Sequence, residues 1–375
     1  MTPVSDARRE SMLASPGKGN GSAIAVPIRH EVPAGFDHED LAVATGERSG
    51  VTMAIAVHST RLGPALGGAR LHHYERDDDG IADALRLAES MTYKAAAAGL
   101  DLGGGKGVIC APSAEPPAGD LRRAILHDFG DLVESLGGRY ITAEDVGTAT
   151  EDMVEIATRT THVTGMPVER GGAGDPSPFT AAGVQAAMRA ACHRAFGTVD
   201  LAGRTVAVVG LGHVGERLAR GLAEAGAELT VADIDPAKQS VADLLEAEWL
   251  DPDSALLAAR DVVAPCAVGG AINAGNVEEL RCRVICGAAN NQLAGEQLAE
   301  RLARRGILYA PDFIVNAGGL INVYRELRGY DAERAMALVL GIERVMGEVF
   351  GHAEVAGTTP LEAARELALR RRDSA

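Results

Sequence analysis

"RTVAVVGLGHVGERLARGLAEAGAELTVADID", residues 204–235, decides the fold. Residues 205–209 are a short, β-branched apolar run, the composition of a strand covered on both faces. The run breaks at a turn where Gly210, Gly212 and Gly215 are spaced G-x-G-x-x-G, and a helical pattern starts at once. In that setting the first glycine permits the tight turn, the second lets the backbone approach a pyrophosphate, and the third packs helix on strand. The helix N-terminus adds N–H groups and the positive end of its dipole. A second apolar run ends at Asp233, near the offset at which a carboxylate meets ribose hydroxyls and repels a 2′-phosphate. The turn Gly210, Leu211, Gly212, His213, Val214, Gly215 and Glu216, together with Asp233, is therefore read as a nicotinamide dinucleotide site that favours NAD over NADP. His213 is an unusual residue in such a turn and is read as a solvated loop position.

Working outward, "DVVAPC", "RVICGA" and "ILYAP" are further strand candidates between helical stretches. That alternation predicts a doubly wound parallel sheet, a Rossmann domain. Upstream, Gly, Pro and Ser cluster in "VERGGAGDPSPFT" (168–180), marking a boundary followed by a helix over 179–196. Before the boundary, "VTMAIAVHST" and "GPALGGARLHHY" read as strands, and "DGIADALRLAESMTYKAAAAGL" as a helix with Lys94 near its C-terminal end. "GVICAP" reads as a strand with Lys106 at its start, and "RYITAEDVGT" as a strand entering a loop that presents Glu144 and Asp145. The fold class expected is α/β. A flexible tail over 1–34 precedes an N-terminal α/β substrate domain over 35–167, completed by C-terminal helices within 335–375. The NAD-binding Rossmann domain covers 168–334.

Bulk composition narrows function. The 375 residues are 46% hydrophobic with a net charge of −16, which suits a soluble acidic protein and argues against nucleic-acid or anionic-membrane partners. No apolar run has membrane-spanning length and no signal-peptide pattern opens the chain. The five cysteines are odd in number and scattered, so structural zinc built on them is not expected and a reducing, cytoplasmic setting is.

"GLDLGGGKGV" (99–108) is not a P-loop, because Leu100 and Gly107 stand where that motif needs Gly and Ser or Thr. Of 36 Lys plus Arg, four are Lys: Lys18, Lys94, Lys106 and Lys238. A lysine kept on that arginine-rich background invites a reason specific to lysine, namely that it can lose its proton when buried or near another cation. Lys94, Lys106 and Asp145 are thus the ionisable candidates beside a hydride-accepting cofactor.

"LGPALGGAR", "MTYKAAAAGLDLGGGKG", "GGRYITAEDVGT", "APCAVGG", "GAANNQL" and "YAPDFIVNAGG" resemble, in the same order, the amino acid dehydrogenases that act on glutamate, leucine, phenylalanine and valine. The resemblance runs from about residue 36 into the C-terminal region. It implies NAD(P)-linked oxidative deamination of an L-amino acid to a 2-oxo acid and ammonium, in a cleft between two domains. Carried over residue by residue, it implies that Lys94 binds the substrate α-carboxylate, that Lys106 is the base that activates water, and that Asp145 handles protons at the amino group. Gly67, Gly68, Asn290 and Asn291 are implied to hold substrate, and Thr180, Asn290 and the segment 210–216 to touch the cofactor. Glu144 is read as structural.

Glutamate-specific members of this kind usually carry Lys where Leu66 stands and Ser where Val323 stands. A buried γ-carboxylate without those partners costs on the order of several kcal/mol, so an apolar substrate is expected. Ala143 and Leu320 are implied to shape the same pocket, and Ala143 resembles the branched-chain enzymes. The expectation is an NAD-dependent valine/leucine-type dehydrogenase, with isoleucine also turned over. The alternatives are a phenylalanine-type enzyme and a catalytically silent NAD-binding regulator, against which the intact Lys94, Lys106 and Asp145 argue. Leucine-type members extend further at the C-terminus to build large assemblies, so a homo-oligomer, a dimer in preference to an octamer, is expected.

Overall fold

Strand-forming runs alternate with helical ones in two separate stretches, and each stretch builds its own six-stranded sheet. The computed structural model describes residues 28–374. Of the tail expected over 1–34, residues 1–27 lie outside the described residues. Its last part does not fit the expectation: β1 (Arg29–His30) pairs antiparallel with β2 (Asp40–Thr45), so order begins before residue 36.

The first sheet is completed by β3 (Thr52–Ser59), β4 (Ala65–His72), β5 (Gly103–Cys110) and β6 (Tyr140–Glu144), in the order β1-β2-β3-β5-β4-β6. It is mixed: β3 meets β5 antiparallel, whereas β4 runs parallel to both β5 and β6. Helices α1 (Asp77–Ala97), α2 (Gly119–Ser135) and α3 (Thr150–Ile156) belong to this stretch.

Strand β5 starts earlier than the sequence suggests. The triple glycine is not a turn before a strand but the first half of a central, wholly buried one, and Lys106 sits in its middle. Alternation puts Gly104 and Lys106 on one face of β5 and Gly105 and Gly107 on the other. A Cβ at Gly104 would overlap the backbone nitrogen of Thr92 and the carbonyl of Ala88, so the missing side chain is what lets α1 lie directly on the sheet. On the other face, Cβ atoms would run into the Tyr140 and Phe129 rings.

The second sheet consists of β7 (Thr205–Val209), β8 (Glu228–Ala232), β9 (Glu248–Trp249), β10 (Val262–Pro265), β11 (Val284–Ile285) and β12 (Leu308–Tyr309). All pairings are parallel, in the order β12-β11-β10-β7-β8-β9. Taken from β9, that is the 3-2-1-4-5-6 order of a doubly wound sheet, with the switch point between β7 and β10. Helix α4 (Ser177–Phe196) leads into it. Then come α5 (His213–Glu224), α6 (Gln239–Leu244), α7 (Pro252–Leu256), α8 (Gln297–Arg304), α9 (Asp312–Val315) and α10 (Gly318–Glu326).

The last helices are α11 (Ala332–Leu340), α12 (Ile342–Ala356) and α13 (Pro360–Asp373). They divide their packing: α11 and α12 lie on α4, and α13 returns to α1. One apolar cluster consequently runs from Leu66, Ala95 and Leu102 through Phe179 and Val184 to Leu320, Val349 and Ala364. It joins the two sheets and walls the cleft between them. Among the described residues no helix is long and apolar enough to cross a membrane, and all five cysteines are free.

Candidate functional site

A cavity of about 690 Å³ opens between the two sheets, within the range of small-molecule sites. Lys94, Lys106 and Asp145 line it, as do Leu66, Gly68, Ala143, Thr180, Val214, Asn290, Asn291, Leu320 and Val323. These residues arrive from α1, β5, β4, β6 and the loop after it, α4, α5, the loop after β11 and α10, so the tertiary fold assembles what the sequence scatters.

Lys106 is 4% exposed. Its Nζ donates to Asp145 Oδ2 at 2.6 Å, and Arg70 Nε donates to the same oxygen at 3.0 Å. Arg70 also reaches Asp83 on α1 at 2.8 Å, which extends the network along the helix. Burial pushes the Lys106 ammonium below the ordinary lysine pKa; Asp145 opposes this and the Arg70 guanidinium adds to it. Arg70 is thus a cation beside Lys106 that sequence reasoning did not name. Asp145 shows the reverse balance. Burial would raise its pKa, but Lys106 and Arg70 together hold its carboxyl below the usual carboxylate range. The loop that presents it is pinned by Thr148, whose Oγ1 accepts from the Asp145 N–H at 2.9 Å and donates to the Ala69 carbonyl at 2.8 Å.

Lys94 stands in the last turn of α1, where the negative end of the helix dipole favours a cation. Burial nevertheless holds its pKa down to about 8; Asp312 pulls against that and Lys106 reinforces it. Its Nζ donates to Asn290 Oδ1 at 3.2 Å, across the cleft. Asn316 Nδ2 donates to the same oxygen at 2.7 Å and to the Ala288 carbonyl at 3.0 Å, which fixes the amide's orientation. Asn291 next door has φ 52°, a left-handed backbone that Asn tolerates better than most residues.

The glycine turn sits at the switch point. Gly210 has φ 105°, and its missing Cβ makes room for Ala267 beyond β10. A Cβ on Gly215 would overlap the Gly210 carbonyl, so α5 is packed tightly onto β7. A Cβ on Gly212 would meet nothing within 4 Å, which leaves an open cradle at the N-terminus of α5. Asp233 Oδ2 accepts from the Leu211 N–H at 2.6 Å, bracing the turn from the end of β8. This geometry fits a dinucleotide, with the pyrophosphate against Gly212 and the α5 N-terminus.

Two expected contacts are placed elsewhere. Gly67 does not line the cavity: its carbonyl accepts from the Tyr140 hydroxyl at 2.5 Å, and its missing Cβ accommodates the Gly105 carbonyl. The Glu216 carboxylate is held along the flank of α5 by Arg220 at 2.8 Å and Lys238 at 3.0 Å. His213 is exposed, as expected, but it is the first residue of α5 and not a loop position. Glu144 lines the cavity, with Oε2 held by the Thr150 hydroxyl at 3.0 Å. Sequence reasoning missed Arg70, Asp312 and Asn316, although all three lie inside the stretches "LGPALGGAR" and "YAPDFIVNAGG" that drew attention.

Residues 38–162 match the family described as Glu/Leu/Phe/Val dehydrogenase, dimerisation domain, and residues 229–337 match Glutamate/Leucine/Phenylalanine/Valine dehydrogenase. Residues 181–274 also match the NAD binding domain of D-isomer specific 2-hydroxyacid dehydrogenases. Leucine dehydrogenase of Bacillus subtilis (strain 168) is 49% identical over 318 residues, covering 83% of this chain and 86% of that protein. Valine dehydrogenase of Streptomyces virginiae is 42% identical over 90% of this chain and 94% of that protein. The crystal structure of L-tryptophan dehydrogenase from Nostoc punctiforme superposes with a TM-score of 0.78 at 40% identity, covering 90% of this chain and 96% of that one. Relatives this similar over this much of their length leave one assignment: the chain belongs to the Glu/Leu/Phe/Val dehydrogenase family, oxidoreductases that act on the CH–NH₂ group of amino acids.

Proposed function

We propose that the protein catalyses the NAD-dependent, reversible oxidative deamination of a branched-chain L-amino acid to its 2-oxo acid and ammonium, with valine or leucine preferred. The observation that carries this reading is a single cavity lined by Lys94, Lys106 and Asp145 together with the apolar Leu66, Ala143, Leu320 and Val323. The relatives named leucine and valine dehydrogenases support it.

NAD, when bound, accepts hydride from the substrate Cα; Gly210, Gly212, Val214, Gly215, Asp233 and Thr180 would hold it. The chain's own groups do the rest. Lys94 pairs the α-carboxylate while Asn290 and Asn316 keep its ammonium aimed. Lys106, neutral in a fraction that its burial enlarges, takes the proton of the water that attacks the carbon. Asp145 accepts and returns a proton at the amino nitrogen, and Arg70 keeps it anionic until it does. In this reading residues 35–167 hold substrate, 168–334 hold cofactor, and α13 ties the C-terminus back to α1. The protein acts in the cytoplasm as a homo-oligomer, a dimer being favoured, a view supported by the match of residues 38–162 to a dimerisation domain.

Initial rates of NADH production across a panel of L-amino acids test the reading. Valine, leucine and isoleucine should outpace phenylalanine, tryptophan and glutamate. A faster rate on any of the latter three would overturn the substrate assignment.

A further inference from the structure

A second group of chemistry-bearing side chains lies outside the cavity. Asp37 and His38 precede β2 and His58 lies near the end of β3, and one donor atom from each is within 4.8 Å of the other two. The imidazoles of His38 and His58 are buried, at 9% and 3% exposure, and stand edge to face with centroids 4.8 Å apart. The Asp37 side chain is 79% exposed and opens the group to solvent.

Each imidazole is already fixed from behind. His38 Nε2 lies 2.9 Å from the Leu85 carbonyl, so that nitrogen carries the proton. Its Nδ1 keeps a lone pair and, among the described residues, has no partner. His58 Nδ1 lies 2.8 Å from Thr92 Oγ1, which in turn faces the Ala88 carbonyl at 3.4 Å. His58 Nε2 is 3.2 Å from Asp37 Oδ1. The Asp37 carboxylate can only accept, so without a cation His58 donates its Nε2 proton to Asp37 while Nδ1 faces the Thr92 hydroxyl; a bound cation would displace that proton to Nδ1, with the Thr92 hydroxyl turned to Ala88.

A buried imidazole nitrogen without a partner calls for an explanation. A cation that displaced the His58 Nε2 proton would meet two imidazole nitrogens and a carboxylate close together, and would give the unpartnered His38 Nδ1 a partner. Ring nitrogens that donate outward to a carbonyl or hydroxyl are how metal-binding histidines are oriented. A donor set of two imidazoles and one carboxylate suits Zn²⁺, with a water in the fourth position. We propose that Asp37, His38 and His58 form a Zn²⁺ site that clamps the segment before β2 to β3 and α1. None of the three residues lines the cavity, and the proposal stands whether or not the substrate assignment does.

The tag-free full chain, stripped with EDTA, should take up one Zn²⁺ per chain by calorimetry. Co²⁺ in its place should give the visible bands of a four-coordinate ion, and Zn²⁺ should raise the Tm. Asp37→Ala, at an exposed position, should weaken Zn²⁺ at least tenfold and erase the Co²⁺ bands. His38→Phe, which fills the same space without a lone pair, should do the same with amino acid turnover unchanged. Failure of the wild-type chain to bind Zn²⁺ stoichiometrically, or undiminished binding in Asp37→Ala, would overturn the proposal.

Discussion

A lysine that accepts a proton near neutral pH must be kept from holding its own, and Lys106 is kept so mainly by burial, with Arg70 assisting and Asp145 resisting. The task proposed for Lys94 is the opposite, since only its charged form pairs a carboxylate, and its pKa of about 8 puts that charge at risk on the alkaline side. The signs combine into a bell. With rising pH, kcat/KM for the amino acid should climb as Lys106 sheds its proton and fall as Lys94 loses its own; kcat/KM reports both in the free enzyme. Lys94→Arg, which stays charged throughout, should abolish the falling limb near pH 8 in a kcat/KM profile while KM at neutral pH rises. An unchanged falling limb in that variant would take the carboxylate role away from Lys94. Both lysines were legible in the sequence because an arginine-rich chain keeps so few. Arg70 was not, for the same reason inverted: on that background one more arginine carries no signal.

Strand β5 and helix α1 show what the glycines do at the level of elements. Gly104 lets α1 rest on the sheet backbone to backbone, and that contact sets how far Lys94 on the helix lies from Lys106 on the strand. Overpacking a buried site typically costs about 1–3 kcal/mol, occasionally more. Gly104→Ala, which forces a methyl against the Thr92 backbone, should lie at or above the upper end. Its urea midpoint should drop markedly, and turnover should fall in whatever fraction stays folded; a wild-type midpoint would mean that the helix is free to move off. The glycine turn after β7 was legible because an apolar strand before it and a helix after it left one topology to fit. The extent of β5 was not, because glycines suppress the very strand signal they serve. Strand β9, at two residues, is too short for its alternation to register.

At the scale of the molecule, the cleft is bridged by a chain of polar contacts, Lys94 to Asn290 to Asn316, whose partners are far apart in sequence and meet only in the folded protein. Asn316 lies in a recognisable run, as Asn290 does, but nothing in that run shows that its amide meets Asn290. The proposed substrate wall is likewise composite: Leu66 comes from the first sheet and Val323 from α10, and both line the cavity. Leu66→Lys combined with Val323→Ser should raise kcat/KM for glutamate relative to valine by at least tenfold, because the pair gives a γ-carboxylate a cation and a hydrogen bond in place of apolar surface. No gain on glutamate would remove these two residues from the side-chain pocket. The most direct measurement is NADH production by Lys106→Arg beside its NAD binding isotherm. The arginine keeps the charge and cannot accept a proton, so turnover should fall by orders of magnitude while NAD affinity holds. Near-wild-type turnover in that variant would contradict the account at its centre.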